Sequence, residues 1–295
     1  MKPSLAAPAS SDSGAAARAT RLTSSESAEA TPKAVLINLF RLAPMATSVQ
    51  AIDQVGDLFG FSRSAVRVAL TRLVRSGLAK RDGRGWYTIG PAEDPIHRWL
   101  ERWRLGEKRT RPWNGAWLAG IADGTLSRTA QSRSHAALTR FGFRRGLPKV
   151  WVRPDNLPST HEALVEGLRE LELSERIEVI TATGFSAPLR RRWCSELYAL
   201  EDIAERYQRA LKRLCASQRR LTKLPPTEAM VESMLEGALV VRLLTLDPLL
   251  PDEILSSAPR LELTDMLQSY DAEGTQIWLR ELDDPKLLRP RRSKS

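Results

Sequence analysis

The run Ser62-Arg63-Ser64-Ala65-Val66-Arg67-Val68-Ala69-Leu70-Thr71-Arg72-Leu73-Val74-Arg75-Ser76 decides how the N-terminal third of this chain is read. Val66, Ala69, Leu70, Leu73 and Val74 recur at the spacing of one helical face, Ser62 has the side chain of an N-cap, and Gly77 stops the pattern. With Val66, Leu70 and Leu73 facing inward, the opposite face consists of Ser64, Arg67, Val68, Thr71, Arg72 and Arg75. Upstream, Val49, Ile52, Val55, Leu58 and Phe59 predict a second helix that breaks at Gly60, a residue able to adopt the left-handed helix-ending conformation. Before it, Val35, Leu36, Leu39, Phe40 and Ala43 predict a first helix between Pro32 and Pro44. Downstream, residues 78–81 and 86–89 read as two short strands around the turn Asp82-Gly83-Arg84-Gly85. Three helices followed by a basic hairpin are the pattern of a winged helix-turn-helix.

The chemistry of that pattern is DNA recognition. The second helix of a helix-turn-helix lies in the major groove, with its N-terminal part against base edges, which makes Ser64, Arg67, Val68 and Thr71 the candidates for direct readout. The forked guanidinium of Arg67 suits the two acceptors of guanine, and Val68 suits the methyl group of thymine. Arg63, Arg72 and Arg75, with Arg81 and Arg84 of the hairpin, are placed to meet phosphates, contacts that position a protein without specifying sequence. Between residues 62 and 84 seven basic side chains face the single acid Asp82. Trp86 is expected to pack under the hairpin.

The rest of the chain sets bounds on this reading. A length of 295 residues favours more than one domain, and a formal charge of +10 favours a polyanionic partner. Cys194 and Cys215 share no ligand spacing and His97, His135 and His161 are scattered, which argues against disulfide scaffolds and zinc fingers. No segment approaches the roughly 20 apolar residues of a membrane span, so the expectation is a cytoplasmic protein with no membrane partner, no metal and no cofactor. Residues 94–111, with Ile96, Trp99, Leu100 and Trp103, predict an amphipathic linker helix. Beyond it come a strand at 117–121, a helix at 127–141, a hairpin at 143–153 turning near Leu147-Pro148-Lys149, a helix at 160–173 and a strand at 177–182. That βαββαβ order is the one found in ferredoxin-like domains. Further helices are predicted at 195–217, 227–246 and 261–270. The expected fold class is therefore α+β. A disordered leader (1–30) precedes a winged helix-turn-helix (31–92), a linker helix (93–112), a ferredoxin-like domain (113–189), a helical C-terminal domain (190–284) and a basic tail (285–295) whose ending from Pro290 should fray.

Four segments carry a family resemblance: residues 62–74, Trp113-Asn114-Gly115-Ala116-Trp117, the stretch from Gly142-Phe143 through Val150-Trp151-Val152-Arg153-Pro154, and Asp247-Pro248-Leu249-Leu250-Pro251. In their order and spacing the chain resembles the PaaX family of phenylacetate-catabolism transcriptional repressors. It departs from that pattern in a short loop at 43–49 and a wing trimmed to Asp82-Gly83-Arg84-Gly85. The resemblance implies a homodimeric, non-enzymatic repressor that leaves its double-stranded DNA operator when an aryl-CoA thioester such as phenylacetyl-CoA binds. A coenzyme A effector needs an apolar pocket and cations for its phosphates. Candidates are Trp113, Trp117 and Trp151, together with Arg190, Arg191 and Arg192; Trp193 lies beside them.

Two other classes share part of the pattern. Ferredoxin-like nucleases of CRISPR systems place a metal-binding aspartate at the end of the first strand, where Asp123 stands here, although Asp123-Gly124 is equally a good turn. A non-specific nucleic-acid-binding protein, acting on RNA or as an architectural factor, could use the same basic face. Its affinity would depend on salt and be indifferent to sequence.

Overall fold

The first helix among the described residues starts where a threonine side chain and a proline agree. Thr31 Oγ1 accepts a hydrogen bond from the Ala34 backbone N–H at 3.2 Å, and Pro32 needs no partner for its missing N–H. This helix is α1 (Pro32–Phe40), seen in a computed structural model that describes residues 30–42, 45–91 and 102–291. The leader at 1–29, the N-terminal part of the expected linker helix and the last residues of the basic tail lie outside the described residues. Among those described, the protein is α+β, with helices and two four-stranded antiparallel sheets. No helix among them is long and apolar enough to cross a membrane.

The described residues fall into two compact units. The first comprises those within 1–93, 217–239 and 270–295, and the second those within 94–216 and 240–269. Three long helices, α7 (Leu200–Leu221), α8 (Pro226–Thr245) and α9 (Ala258–Glu281), each supply residues to both. The stretch 190–284, expected to form one helical domain, is therefore shared between two cores. Periodicity shows that a helix has an apolar face but not which core that face joins, and on α9 only 261–270 carried a readable period.

In the first unit α1 is followed by β1 (Met45–Ser48), α2 (Val49–Leu58), α3 (Arg63–Arg75), β2 (Ala79–Arg81) and β3 (Trp86–Ile89). Their common core joins Leu36, Leu39 and Phe40 of α1 with Ile52 and Val55 of α2 and Val66, Leu70 and Leu73 of α3. Met230 of α8 and Trp278 of α9 complete it. Trp278 donates its indole N–H to the Met230 carbonyl at 3.1 Å and stacks on Phe59 with ring centroids 6.2 Å apart. The segment at 43–49, read as a loop, contains β1, which pairs antiparallel with β3. Its Ala46, Thr47 and Ser48 are buried, and four residues are too few for an alternation to be seen in sequence.

The basic tail expected at 285–295 contains a strand. β8 (Leu288–Pro290) adds to the far edge of β1, giving the order β2-β3-β1-β8, with Leu287 and Leu288 buried in the core. Arg289 reaches the hairpin: its Nη2 donates to the Asp82 carbonyl and lies 3.0 Å from Asp82 Oδ2, and its guanidinium sits 4.6 Å from the centroid of the Trp86 ring. Trp86 is half-buried under that cation.

Among the described residues the second unit opens with a 3-10 segment, Arg102–Arg109, broken at Gly106 with φ 52°. The C-terminal part of the expected linker helix is thus not a continuous α-helix, because Gly106 takes a conformation that helices exclude. The elements β4 (Trp117–Ala122), α4 (Arg128–Arg140), β5 (Arg144–Leu147), β6 (Val150–Pro154), α5 (His161–Glu170) and β7 (Ile177–Ala182) follow. The strands order as β5-β6-β4-β7, all neighbours antiparallel. One sheet face packs Leu118, Trp151, Ile177 and Val179 on Leu138 of α4 and Leu168 of α5. The other packs Trp117, Ala119 and Val152 on Trp193 of α6 (Ala187–Glu196). The helix predicted at 195–217 is α7, starting at Leu200; α6, capped by Ser186, precedes it and ends at Glu196.

The clamp between Arg289 and Asp82 is only partly exposed, with side-chain exposures of 22% and 10%. Arg289→Ala is expected to cost about 1–2 kcal/mol, as for a charged hydrogen-bonded pair of intermediate burial. Deleting residues 287–295 removes buried Leu287 and Leu288 as well and should cost more. Urea unfolding checks both; a truncated chain as stable as the full one would show that β8 adds nothing.

Candidate nucleic-acid interface

The geometry of α2 and α3 follows from one turn and one missing side chain. Gly60, at φ 72°, ends α2; its N–H donates to the Asp57 carbonyl and the Phe61 N–H to the Gly56 carbonyl, at 3.0 and 2.9 Å. This is the paired bonding of a helix stop built on a left-handed residue. Ser62 then starts α3 by accepting from the Ala65 N–H at 3.2 Å. The two helices cross where Gly56 meets Val66. A Cβ added to Gly56 would lie 2.6 Å from Val66 Cγ2, closer than any side chain tolerates. Gly56 was not singled out from sequence, although a glycine inside a helical period is itself a sign of close approach.

Burying Val66, Leu70 and Leu73 turns the rest of α3 outward. Arg63, Ser64, Arg67, Val68, Thr71, Arg72 and Arg75 are all exposed, as are Arg81 on β2 and Arg84 at the hairpin tip. Every residue predicted to touch DNA therefore lies on the surface of the first unit. Among the described residues no carboxylate holds any of these arginines. Val68 keeps 50% of its surface exposed between Arg67 and Thr71. Thr71 Oγ1 donates to the Arg67 carbonyl at 2.8 Å, so its oxygen remains free to accept. Ser64 Oγ lies 3.0 Å from Ser62 Oγ. The face offers guanidinium donors, hydroxyl groups and one methyl surface, and no anion.

The hairpin is anchored to the same frame. Val49, at the start of α2, donates its N–H to the Gly85 carbonyl at 2.9 Å, and β3 pairs with β1 through Thr47–Tyr87 and Ser48–Trp86.

No family model and no curated protein matches the chain. Among solved structures it is similar to the uncharacterized protein Rv0674 from Mycobacterium tuberculosis, at 24% identity and a TM-score of 0.58, over 84% of this chain and 98% of that one. The likeness is one of fold.

The other predicted site residues lie in the second unit. Trp117 and Trp151 are core side chains on opposite faces of its sheet, and Trp113 packs edge-on against Trp117 at 5.7 Å while donating to the Ala116 carbonyl. Arg190, Arg191 and Arg192 are exposed on α6. Asp123 stands exposed in the turn after β4, and among the described residues no group of three or more His, Cys, Asp or Glu side chains could hold a metal. The concavities of this unit lie elsewhere. One, of about 200 Å³, is bounded by Arg144, Tyr198, Ile203, Tyr207, Leu243 and Pro248. A smaller one has Arg102, Arg109, Arg140 and Arg153 in its wall. These arginines are spread over fifty residues of sequence, and no local motif marks them.

Gly56→Ala should force α2 and α3 apart and cost about 1–3 kcal/mol, the usual range for overpacking a core. Shortening the opposing side chain in Gly56→Ala/Val66→Ala should return part of that loss. Thermal unfolding of both variants tests the contact, and additive losses in the double variant would refute it.

Proposed function

We propose that this protein is a sequence-specific DNA-binding transcriptional regulator that reads the major groove with α3. The observation that carries the reading is the exposed face of α3, where four arginines, two hydroxyl side chains and Val68 stand without a single acid, beside the basic hairpin β2–β3. The element order helix, strand, helix, helix, strand, strand supports naming this part a winged helix-turn-helix. The order β5-β6-β4-β7, with α4 and α5 on one face, supports a ferredoxin-like reading of the sheet in the second unit. A winged helix-turn-helix brings the N-terminal half of its second helix to base edges, hence Ser64, Arg67, Val68 and Thr71 for readout and Arg63, Arg72, Arg75, Arg81 and Arg84 for the backbone.

The resemblance to the PaaX repressors extends the proposal to a homodimer on a near-palindromic operator, released by an aryl-CoA thioester. Two recognition helices related by a twofold axis require half-sites separated by about 10 base pairs or a multiple. Trp113, Trp117 and Trp151 are engaged in core packing, and the concavity of about 200 Å³ bounded by Tyr198, Tyr207 and Leu243 is where an apolar acyl group finds space.

Selection of bound sequences from random DNA, followed by footprinting, tests the reading. Arg67→Ala is expected to lose about 1–3 kcal/mol on the selected site and to relax preference at one base pair, whereas Arg72→Ala should weaken specific and random duplexes alike. Affinity that falls with salt but does not distinguish selected from random duplexes would replace this reading with non-specific nucleic-acid binding.

A further inference from the structure

Among the described residues the second unit buries Arg109 and Arg153 with no ion pair to either. Arg153 leaves β6 with a guanidinium only 1% exposed, and its donors go to neutral acceptors: the Pro154 carbonyl at 2.9 Å, Asn156 Oδ1 at 2.9 Å and the Phe141 carbonyl. Arg109, 4% exposed, donates from Nη1 to the Leu244 carbonyl at 2.8 Å, but its buried Nε–H has no partner among the described residues. Arg102 lies 5.8 Å from the centroid of the Phe141 ring, and Arg140 borders the same concavity. Burial lowers Arg109 and Arg153 to about 10, which leaves both charged at neutral pH.

One carboxylate faces these four cations in the pocket wall, and it is already engaged. Asp247 accepts from the Tyr207 hydroxyl and, at 2.6 Å, from the Leu249 N–H, and lies 3.8 Å from Arg260 Nη1. Among the described residues no ion pair reaches Arg102, Arg109, Arg140 or Arg153. A buried charge without a counter-ion is costly, and an unpaired buried N–H adds to the cost. Both terms are relieved by an anion that accepts hydrogen bonds.

We propose that the pocket formed by Arg102, Arg109, Arg140 and Arg153 binds the phosphate group of a small molecule. The concavity offers about 30 Å³, where a single water needs about 10–15 Å³, so it suits an oxyanion head group and no ring system. Guanidinium groups hold phosphate oxygens through paired, charge-assisted hydrogen bonds, and a dianion balances this cluster better than a monovalent carboxylate does. The site lies wholly within the second unit and does not depend on the DNA-binding reading of α3.

The test is calorimetric titration of the full-length protein at fixed ionic strength with inorganic phosphate, with glycerol phosphate and with acetate. Saturable binding of inorganic phosphate or glycerol phosphate, tighter than acetate, is expected, and the stronger of the two identifies free phosphate or an ester as the source. Arg102→Gln and Arg140→Gln, which remove side chains that hold no backbone carbonyl among the described residues, should each weaken it at least tenfold. Arg109→Gln is a less clean variant because Arg109 also secures Leu244. Arg190→Gln on the exposed face of α6 should leave binding unchanged. Absence of binding by either phosphate, or binding undiminished in both the Arg102 and Arg140 variants, would overturn the proposal. Neither result bears on operator affinity.

Discussion

The close crossing of α2 and α3 at Gly56 and Val66 governs what the first unit can present. Helix axes approach only as far as the side chains between them allow, and here one of the two has none. With α2 pressed onto Val66, the stripe Val66, Leu70, Leu73 is fixed toward Leu36, Phe40 and Ile52, and the rotation of α3 about its axis is set. The exposed positions are then determined: 63, 64, 67, 68, 71, 72 and 75 stand outward together. A wider crossing would leave the stripe half solvated and let α3 roll, and no defined set of side chains would face a partner.

Much of this was legible because it rests on local rules. The helix α3, its cap at Ser62 and the glycine stop before it are written within consecutive residues, as are the hairpin at Asp82-Gly83-Arg84-Gly85 and the alternation of strands and helices from Trp117 to Ala182. What sequence did not reveal depends on residues far apart in the chain. β8 becomes a strand because the free edge of β1 accepts it, some 240 positions away, and nothing in Leu288-Arg289-Pro290 requires an extended form by itself. α8 and α9 divide their apolar residues between two cores, which blurs a single helical period. The arginine pocket assembles from Arg102, Arg109, Arg140 and Arg153, each unremarkable among its neighbours in sequence.

Arginine accounts for the basic character of the chain in two physically distinct ways. On α3 the guanidinium groups are exposed and, among the described residues, held by no carboxylate, so they keep the freedom and the charge that a polyanion can exploit by releasing its counter-ions. In the second unit the same group is stripped of water and bonded to carbonyl oxygens, with Arg153 joining Phe141, Pro154 and Asn156, and Asn156 in turn donating to the Leu249 carbonyl at 2.8 Å. There arginine serves as a branched cross-link between backbone segments, a task its planar set of donors performs better than a lysine would. Net charge alone merges these uses; burial separates them.

The hairpin shows how a short basic loop becomes part of a surface with a defined shape. Two-stranded hairpins are marginal in isolation, and β2 with β3 supplies only seven strand residues. Each side of the turn is therefore tied to something else. Gly85 is bonded to Val49 at the start of α2, Asp82 to Arg289 of β8, and β3 lies between β2 and β1. Because β1 runs directly into α2, and α2 crosses α3 at Gly56, the position of Arg84 relative to Arg67 passes through a chain of backbone bonds and packed side chains, all within the first unit. The residues that fix this spacing, Val49, Gly56, Asp82 and Arg289, lie outside α3. A change in any of them alters the shape of the whole face, whereas a change in Arg67 or Thr71 alters only what that face reads.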